Sequence, residues 1–199
     1  MTLTILIAML SFSLAMSISP GPVNILILSS SINNGFLKTF AFISGATIGF
    51  TLLLIFVSFG LSTILLDYPD FLKYLGLFGA LFIIFMGYKI ASSTPDIEIK
   101  DDIKYLKFYE GFLLQWLNPK AWIASVSGTS MFSINQSSLL IFVVIYFIVC
   151  YLSLSSWGLL GQKAKALLNT NSRLKVFNIF MGSILIFSAL SLIVINFSK

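Results

Sequence analysis

The chain has 199 residues, of which 58% are hydrophobic and only 10% are charged, and its net charge is +5. Soluble domains carry about 25% charged residues, so this chain has too few polar side chains to cover a soluble exterior. Its basic residues form no patch with interleaved aromatics, which argues against a nucleic-acid partner. The absence of histidine excludes imidazole proton relays and histidine-ligated metals.

Six apolar stretches follow one another along the chain. They cover residues 1–37, 39–66, 71–91, 111–132, 139–160 and 176–197. Each has about 20 residues or more, enough to cross a hydrocarbon core of about 30 Å. The first lacks the basic start of a secretory signal and its apolar sequence resumes after Pro22, so we predict a span rather than a cleaved peptide. We therefore predict an all-α polytopic membrane protein with six transmembrane helices, forming a single transporter domain over residues 1–199.

A polar segment, residues 92–110, divides the chain into a first three-span half, residues 1–91, and a second half, residues 111–199. Nine of the twelve basic residues lie in the loops after spans one, three and five, whereas only Lys73 and Lys199 lie on the opposite side. The positive-inside rule then places residues 92–110 in the cytoplasm and both termini outside. Because each half has an odd number of spans, the two halves have opposite orientations, which is the form of an inverted repeat.

A proline motif interrupts the first apolar stretch and another interrupts the fourth. The motifs are Ser19-Pro20-Gly21-Pro22 and Asn118-Pro119-Lys120, about 99 residues apart. Lipid offers no partner to an unpaired backbone group, so a broken helix at membrane depth must face protein or a wet cavity. Corresponding breaks in two halves indicate the substrate site of a transporter. We predict two inverted three-helix repeats in which helices one and four are broken.

The residue types at both breaks predict new helices that begin inside the membrane. The residue before a proline is disfavoured in the α region, proline suits the first helical position, and serine and asparagine are preferred N-caps. Asn118 is expected to cap a helix that starts at Pro119, and Ser19 or Gly21 is expected to cap one at the first break. Both N-terminal ends would expose unpaired N–H groups and about half a positive charge, which suits a carboxylate.

Lys120 adds a full charge at about the tenth residue of the fourth span. A lysine at the bilayer centre costs about 2.5–3.5 kcal/mol on insertion scales. We expect it to face a cavity and anchor a substrate carboxylate; the alternative is a lysine that snorkels to the cytoplasmic interface. Asn24, one turn beyond the first break, contacts either the ligand or a neighbouring helix. The predicted substrate-binding residues are Ser19, Pro20, Gly21, Pro22, Asn24, Asn118, Pro119 and Lys120.

Small residues in spans two and three predict that each of these helices packs closely against a neighbour. They are Gly45 and Gly49 in span two, and Gly76 and Ala80 in span three. No carboxylate lies deep in any span, so the usual buried acid of a proton-coupled carrier is missing. Glu110, at the start of the fourth span, is the nearest candidate, and an acid that stabilises the helix start is the alternative.

Several further motifs follow in the same order along nearly the whole chain. They are Gly35 after the first break, Gly45 and Gly49, Leu72-Lys73-Tyr74-Leu75-Gly76 with Gly87-Tyr88-Lys89, and Phe112-Leu113 before Leu117-Asn118-Pro119-Lys120-Ala121. With these motifs the chain resembles the LysE/RhtB translocator family, bacterial exporters of lysine, arginine, homoserine, threonine and related amino acids. The resemblance implies a protein of the bacterial inner membrane that exports small amino acids or derivatives. It also implies that the membrane potential or proton gradient powers transport and that both proline motifs are central to it.

One position departs from the family pattern. Many members carry an acidic or amide residue directly after Pro-Gly-Pro, whereas this chain has Val23, followed by Asn24. An acid at that position could bind a substrate amine or a proton. Its absence favours a neutral amino acid over lysine or arginine as the substrate.

The leading hypothesis is a secondary exporter whose partners are a small amino acid and the lipid bilayer; a homodimer would be unsurprising. An exporter of divalent metal ions would need ligands rich in oxygen or sulfur at mid-membrane, and the chain offers asparagine, serine, threonine and one cysteine, Cys150. A non-transporting scaffold would predict continuous helices. A channel would need a ring of charge or a filter loop. An intramembrane enzyme would need a histidine or a carboxylate pair, and no cofactor or metal is expected.

Overall fold

The computed structural model describes residues 2–61, 69–92, 105–168 and 170–197, and these form eight α-helices. The helices are α1 Leu3–Ile18, α2 Pro22–Asn34, α3 Phe36–Phe56, α4 Pro69–Ala91, α5 Phe108–Trp116, α6 Pro119–Phe132, α7 Gln136–Ala164 and α8 Asn171–Phe197. A π-helical turn, Val57–Leu61, continues α3, and a 3-10 turn, Lys165–Leu167, continues α7. These ranges contain no strand, so the prediction of an all-α protein is confirmed.

Helical structure stops at both proline motifs. α1 ends at Ile18 and α2 begins at Pro22, and the two helices are bent by 58° relative to each other. α5 ends at Trp116 and α6 begins at Pro119. Each proline stands at the first position of its helix, where the N–H that proline lacks would have no helical partner.

A glycine makes the sharp turn between α2 and α3. Gly35 has φ 85°, and its N–H donates a hydrogen bond to the carbonyl oxygen of Ser31 at 2.9 Å. Side chains with a Cβ rarely adopt this conformation, so glycine suits the position. The turn returns the chain directly into α3.

The described helices contain three or four segments that could span a membrane. Three helical segments in the described ranges are long and apolar enough to cross a membrane: Phe36–Gly60, Gln136–Leu167 and Asn171–Ser191. The bent pair of α1 and α2 gives a fourth. The second break leaves α5 with 9 residues and α6 with 14. The chain is a multi-pass membrane protein, and the count of six remains a prediction.

The helices pack around α3 and α7, which lie against each other. α5 packs along α3, α1 and α2 pack along α7, and α4 pairs with α8. Fully buried residues such as Phe42, Leu53 and Phe142 form the core at these contacts. Large apolar side chains also cover the outer surface, for example Leu152 at 67% exposure and Phe187 at 73%. Such a surface is expected where the surrounding medium is lipid.

Glycines allow the closest helix contacts. A Cβ added to Gly45 would collide with the carbonyl group of Phe108 in α5, and one at Gly49 would lie 2.9 Å from the Phe112 carbonyl oxygen. These two predicted positions therefore lie directly against the α5 backbone. Ala80 is fully buried in α4. Gly76 belongs to the same helix, but its surroundings lie outside the described part of the chain.

Candidate functional site

At the first break, the C-terminal end of α1 is capped by hydrogen bonds, whereas the N-terminal end of α2 is open. Ser19 is the C-cap of α1: its N–H donates to Ala15 and its hydroxyl to Met16, both at 3.3 Å. Gly21 is the N-cap of α2 and has no side chain with which to accept a hydrogen bond. Ser19 and Gly21 are the two alternatives predicted for the N-cap of α2. Gly21 is that N-cap, whereas Ser19 is the C-cap of α1.

The open end of α2 carries unpaired donors. No described group accepts a hydrogen bond from the backbone N–H of Val23 or Asn24, which belong to the first turn of this helix. Unpaired N–H groups at a helix N-terminus carry a partial positive charge and suit an anion. This end matches the prediction made for the first break.

At the second break, the backbone N–H groups at the start of α6 find hydrogen-bond acceptors within the break. The Asn118 side-chain oxygen accepts from the Lys120 N–H at 3.1 Å, and the Asn118 carbonyl accepts from the Ala121 N–H at 2.9 Å. The Trp122 indole N–H donates to the Trp116 carbonyl at the end of α5, at 2.7 Å. Asn118 is thus the N-cap predicted for α6. The cap closes that helix end, so α6 does not present the free donors expected there.

Lys120 connects the two breaks. Its ammonium group donates to the Ser19 carbonyl oxygen at 2.7 Å and to the Ser19 hydroxyl oxygen at 2.8 Å. The side chain therefore turns toward the first break. A cation at the C-terminal end of a helix is favoured by the partial negative charge of the terminal carbonyls. No described carboxylate pairs with this ammonium group.

A small cavity of about 30 Å³ lies between the breaks. Its walls come from both breaks and from α3, α5 and α7, and they are Met16, Ser17, Gly21, Val23, Asn24, Phe50, Gln115, Asn118, Lys120, Ala121, Ala124, Tyr146, Cys150 and Leu154. A water molecule occupies about 30 Å³ of liquid, so the cavity admits about one or two waters. An amino acid requires the walls to separate.

Four of the eight predicted substrate-binding residues line this cavity: Gly21, Asn24, Asn118 and Lys120. Asn24 faces it while its amide also donates to the Ser17 carbonyl at 2.9 Å, which ties α2 to the end of α1. The contact with a neighbouring helix is therefore observed for Asn24, and its contact with a ligand stays a prediction.

The remaining predicted residues shape the breaks without lining the cavity. Ser19 holds Lys120. Pro22 and Pro119 start α2 and α6, and Pro20 lies between α1 and α2.

Sequence reasoning missed several polar residues of the cavity. Gln115, Tyr146 and Cys150 are 6%, 2% and 3% exposed, and Ser17 is 7% exposed. Tyr146 and Cys150 are four residues apart and so share one face of α7. Polar residues at helical spacing inside an apolar run are the signal that could have identified this pair.

Glu110 lies at the start of α5 and does not line the cavity. Its carboxylate accepts from the Lys89 ammonium group at 2.6 Å and from the Lys107 N–H at 2.8 Å. The residue therefore stabilises a helix start and joins it to α4, which is the alternative given for it above.

A family profile described as LysE type translocator matches residues 14–195, which include both breaks. The chain belongs to the LysE translocator family. The cysteine/O-acetylserine efflux proteins of Escherichia coli (strain K12) and Shigella sonnei (strain Ss046) are similar to it. Each is 34% identical over 147 residues, which cover 72% of this chain and 73% of the relative. No solved structure matches. As a LysE translocator, the protein acts on a small molecule in a membrane, and both breaks lie within the part of the chain that carries the likeness.

Proposed function

We propose that this LysE translocator exports small, neutral amino acids or their derivatives across the bacterial inner membrane, with both termini outside. The contact between Lys120 and Ser19 carries the proposal, because it joins the two helix breaks at a buried polar cavity. The similarity to a cysteine/O-acetylserine efflux protein supports this substrate class, because cysteine and O-acetylserine are both small neutral amino acids.

The substrate carboxylate has two groups of donors at the cavity. Lys120 supplies an ammonium group, and the open end of α2 supplies the N–H groups of Val23 and Asn24. Hydrogen bonds that involve a charged group are about twice as strong as neutral ones, and the low dielectric of a buried site strengthens them further. We therefore assign the carboxylate to this end of the cavity.

The charge of the cavity favours a neutral side chain. Lys120 is the one charged residue among its lining residues. A lysine or arginine side chain, or a divalent metal ion, would meet this positive charge without a carboxylate to balance it. The described residues also contain no group of three or more His, Cys, Asp or Glu that could hold a metal. These features argue against the metal-export alternative.

The helix contacts support two inverted repeats. In an inverted repeat, a two-fold operation exchanges the halves, so that α1, α2, α3 and α4 take the places of α5, α6, α7 and α8. Under this operation the contact between α3 and α7 and the contact between α4 and α8 are each unchanged, and the contact between α1 and α7 becomes the contact between α5 and α3. All four of these helix pairs pack together. Gly87 and Gly182 lie against each other's carbonyl oxygens where α4 meets α8. Alternating access would then be a movement of one half against the other around the cavity.

Efflux measurements test the proposal. Bacteria loaded with dipeptides release labelled amino acids, and release is compared with and without this protein, before and after an uncoupler collapses the proton gradient. We expect faster loss of cysteine, O-acetylserine or other small neutral amino acids, abolished by the uncoupler. Unchanged release of every amino acid, with the protein shown to be in the membrane, would refute amino-acid export and leave the scaffold alternative. Export that survives the uncoupler would refute only the coupling to the proton gradient.

A further inference from the structure

The position of the Lys120 ammonium group is chemically informative. It donates to the carbonyl oxygen and the hydroxyl oxygen of Ser19, the C-cap of α1, at 2.7 and 2.8 Å. The α-ammonium group of an amino acid is also a primary ammonium with three donors and suits the same acceptors. The cavity volume of about 30 Å³ leaves no room for an amino acid beside this contact.

A second polar group lies near this end of the cavity. The Ser17 hydroxyl lines the cavity in a residue only 7% exposed, where it interacts with the side chains of Tyr146 and Cys150. A hydroxyl can accept a hydrogen bond as well as donate one, so Ser17 adds to the polar character of the wall beside the end of α1. The first break therefore offers acceptors from the end of α1 beside the donors of α2, which match the two charges of a zwitterion.

We infer that Lys120 is an internal substitute for the α-ammonium group of the substrate; this inference rests on the proposed function. When an amino acid enters, its ammonium group takes the Ser19 carbonyl and hydroxyl, and Lys120 turns to the carboxylate. When the carrier changes access without substrate, Lys120 returns to Ser19. The exchange avoids leaving either an ammonium group or the helix end unpaired in a low-dielectric site.

Gly21 provides the space for this movement. Its φ of −164° is an extended conformation open to any residue, so the backbone does not require glycine. A Cβ at this position would lie 3.3 Å from both Cδ and Nζ of Lys120. The absence of a side chain thus keeps room for the lysine at Ser19.

Net export and exchange separate the two roles of Lys120. Net export requires the carrier to change access without substrate, whereas exchange with substrate on both sides does not. The protein is reconstituted into liposomes with labelled O-acetyl-L-serine, and Lys120→Met is compared with wild type. Lys163→Met, at an exposed residue near the end of α7, is the matched control. For Lys120→Met we expect the loss of net efflux to exceed the loss of exchange by at least tenfold, because both modes lose the carboxylate contact and only net efflux also needs the return without substrate.

Each outcome discriminates. An equal loss in both modes would overturn the substitute role and leave Lys120 as a carboxylate anchor alone. Unchanged net efflux would overturn both roles. If the wild-type protein moves O-acetyl-L-serine and L-cysteine in neither mode, the proposed function itself fails and this inference fails with it.

Ser19→Ala tests the same site without removing the lysine. It deletes one of the two acceptors assigned to the substrate ammonium group, so the KM of exchange should rise about tenfold. Inhibition of wild-type exchange by N-acetyl-L-serine, which has no ammonium group, should be at least tenfold weaker than inhibition by L-serine. An unchanged KM, or equal inhibition by the two compounds, would overturn the assignment of Ser19 to the ammonium group.

Discussion

Replacement of Gly45 by alanine should destabilise the contact between α3 and α5. The added Cβ would collide with the Phe108 carbonyl group, and a backbone atom inside a helix cannot move aside as a side chain can. Overpacking of this kind costs about 1–3 kcal/mol. Gly60→Ala is the matched control, because the atom nearest its added Cβ is a ring carbon of Phe56 at 3.7 Å, an ordinary contact.

Both substitutions replace a glycine with a better helix former, Gly45 in α3 and Gly60 in the π-helical turn that continues it, so the difference between them mainly reflects the collision. For a chain of this size, 1 kcal/mol corresponds to about 2–4 °C in Tm, so Gly45→Ala should melt about 2–12 °C below Gly60→Ala. Cys150 provides the assay, since it is the single cysteine and is only 3% exposed. A fluorogenic maleimide reacts with it when the protein unfolds in detergent. Equal melting temperatures for the two variants would refute the close approach of α3 and α5.

Two further predictions concern the helix starts. Glu110→Gln should lower stability by about 1 kcal/mol, because the carboxylate bonds both to Lys89 and to the α5 N-terminus, while efflux should stay at the wild-type level. Loss of efflux in a variant that melts normally would instead make Glu110 part of the proton path. Asn118→Ala should lose about 1 kcal/mol with the cap on the Lys120 N–H, and Asn118→Ser should lose much less. The maleimide assay measures both variants, and an equal loss for alanine and serine would contradict the capping role.

The breaks could be predicted from the sequence because they depend on local chemistry. Pro22 and Pro119 restrict their own backbone and that of the preceding residue, and no distant contact is needed to stop a helix there. Asn118 likewise caps a helix that begins at the next residue. The α1–α2 junction was harder, because Ser19 could serve as a cap for either helix until the path of the chain was known.

Distant contacts decided what hydropathy could not. The sequence alone allowed Lys120 to lie either in a cavity or at the cytoplasmic interface. Its contact with Ser19 could not be predicted, because the two residues are 101 positions apart in the chain. Gln115 and Tyr146 line the same cavity from α5 and α7, and nothing in the sequence near either residue indicates the other. Six spans remain a prediction from hydropathy, since the described helices show three segments long and apolar enough to cross a membrane, or four with the bent pair.

The sequence by itself determined that the chain is an all-α membrane protein, that its helices break at two proline motifs, and that Lys120 lies inside an apolar stretch. Composition and backbone restriction act over a few residues, so they can be seen without a fold. Tertiary structure decided that, of the two helices beginning at the breaks, α2 keeps an open N-terminal end, that Lys120 contacts the C-cap of α1, and that α3, α5 and α7 complete the cavity. These features depend on which helices meet in three dimensions, because a buried charge or donor takes its partner from whatever element lies against it.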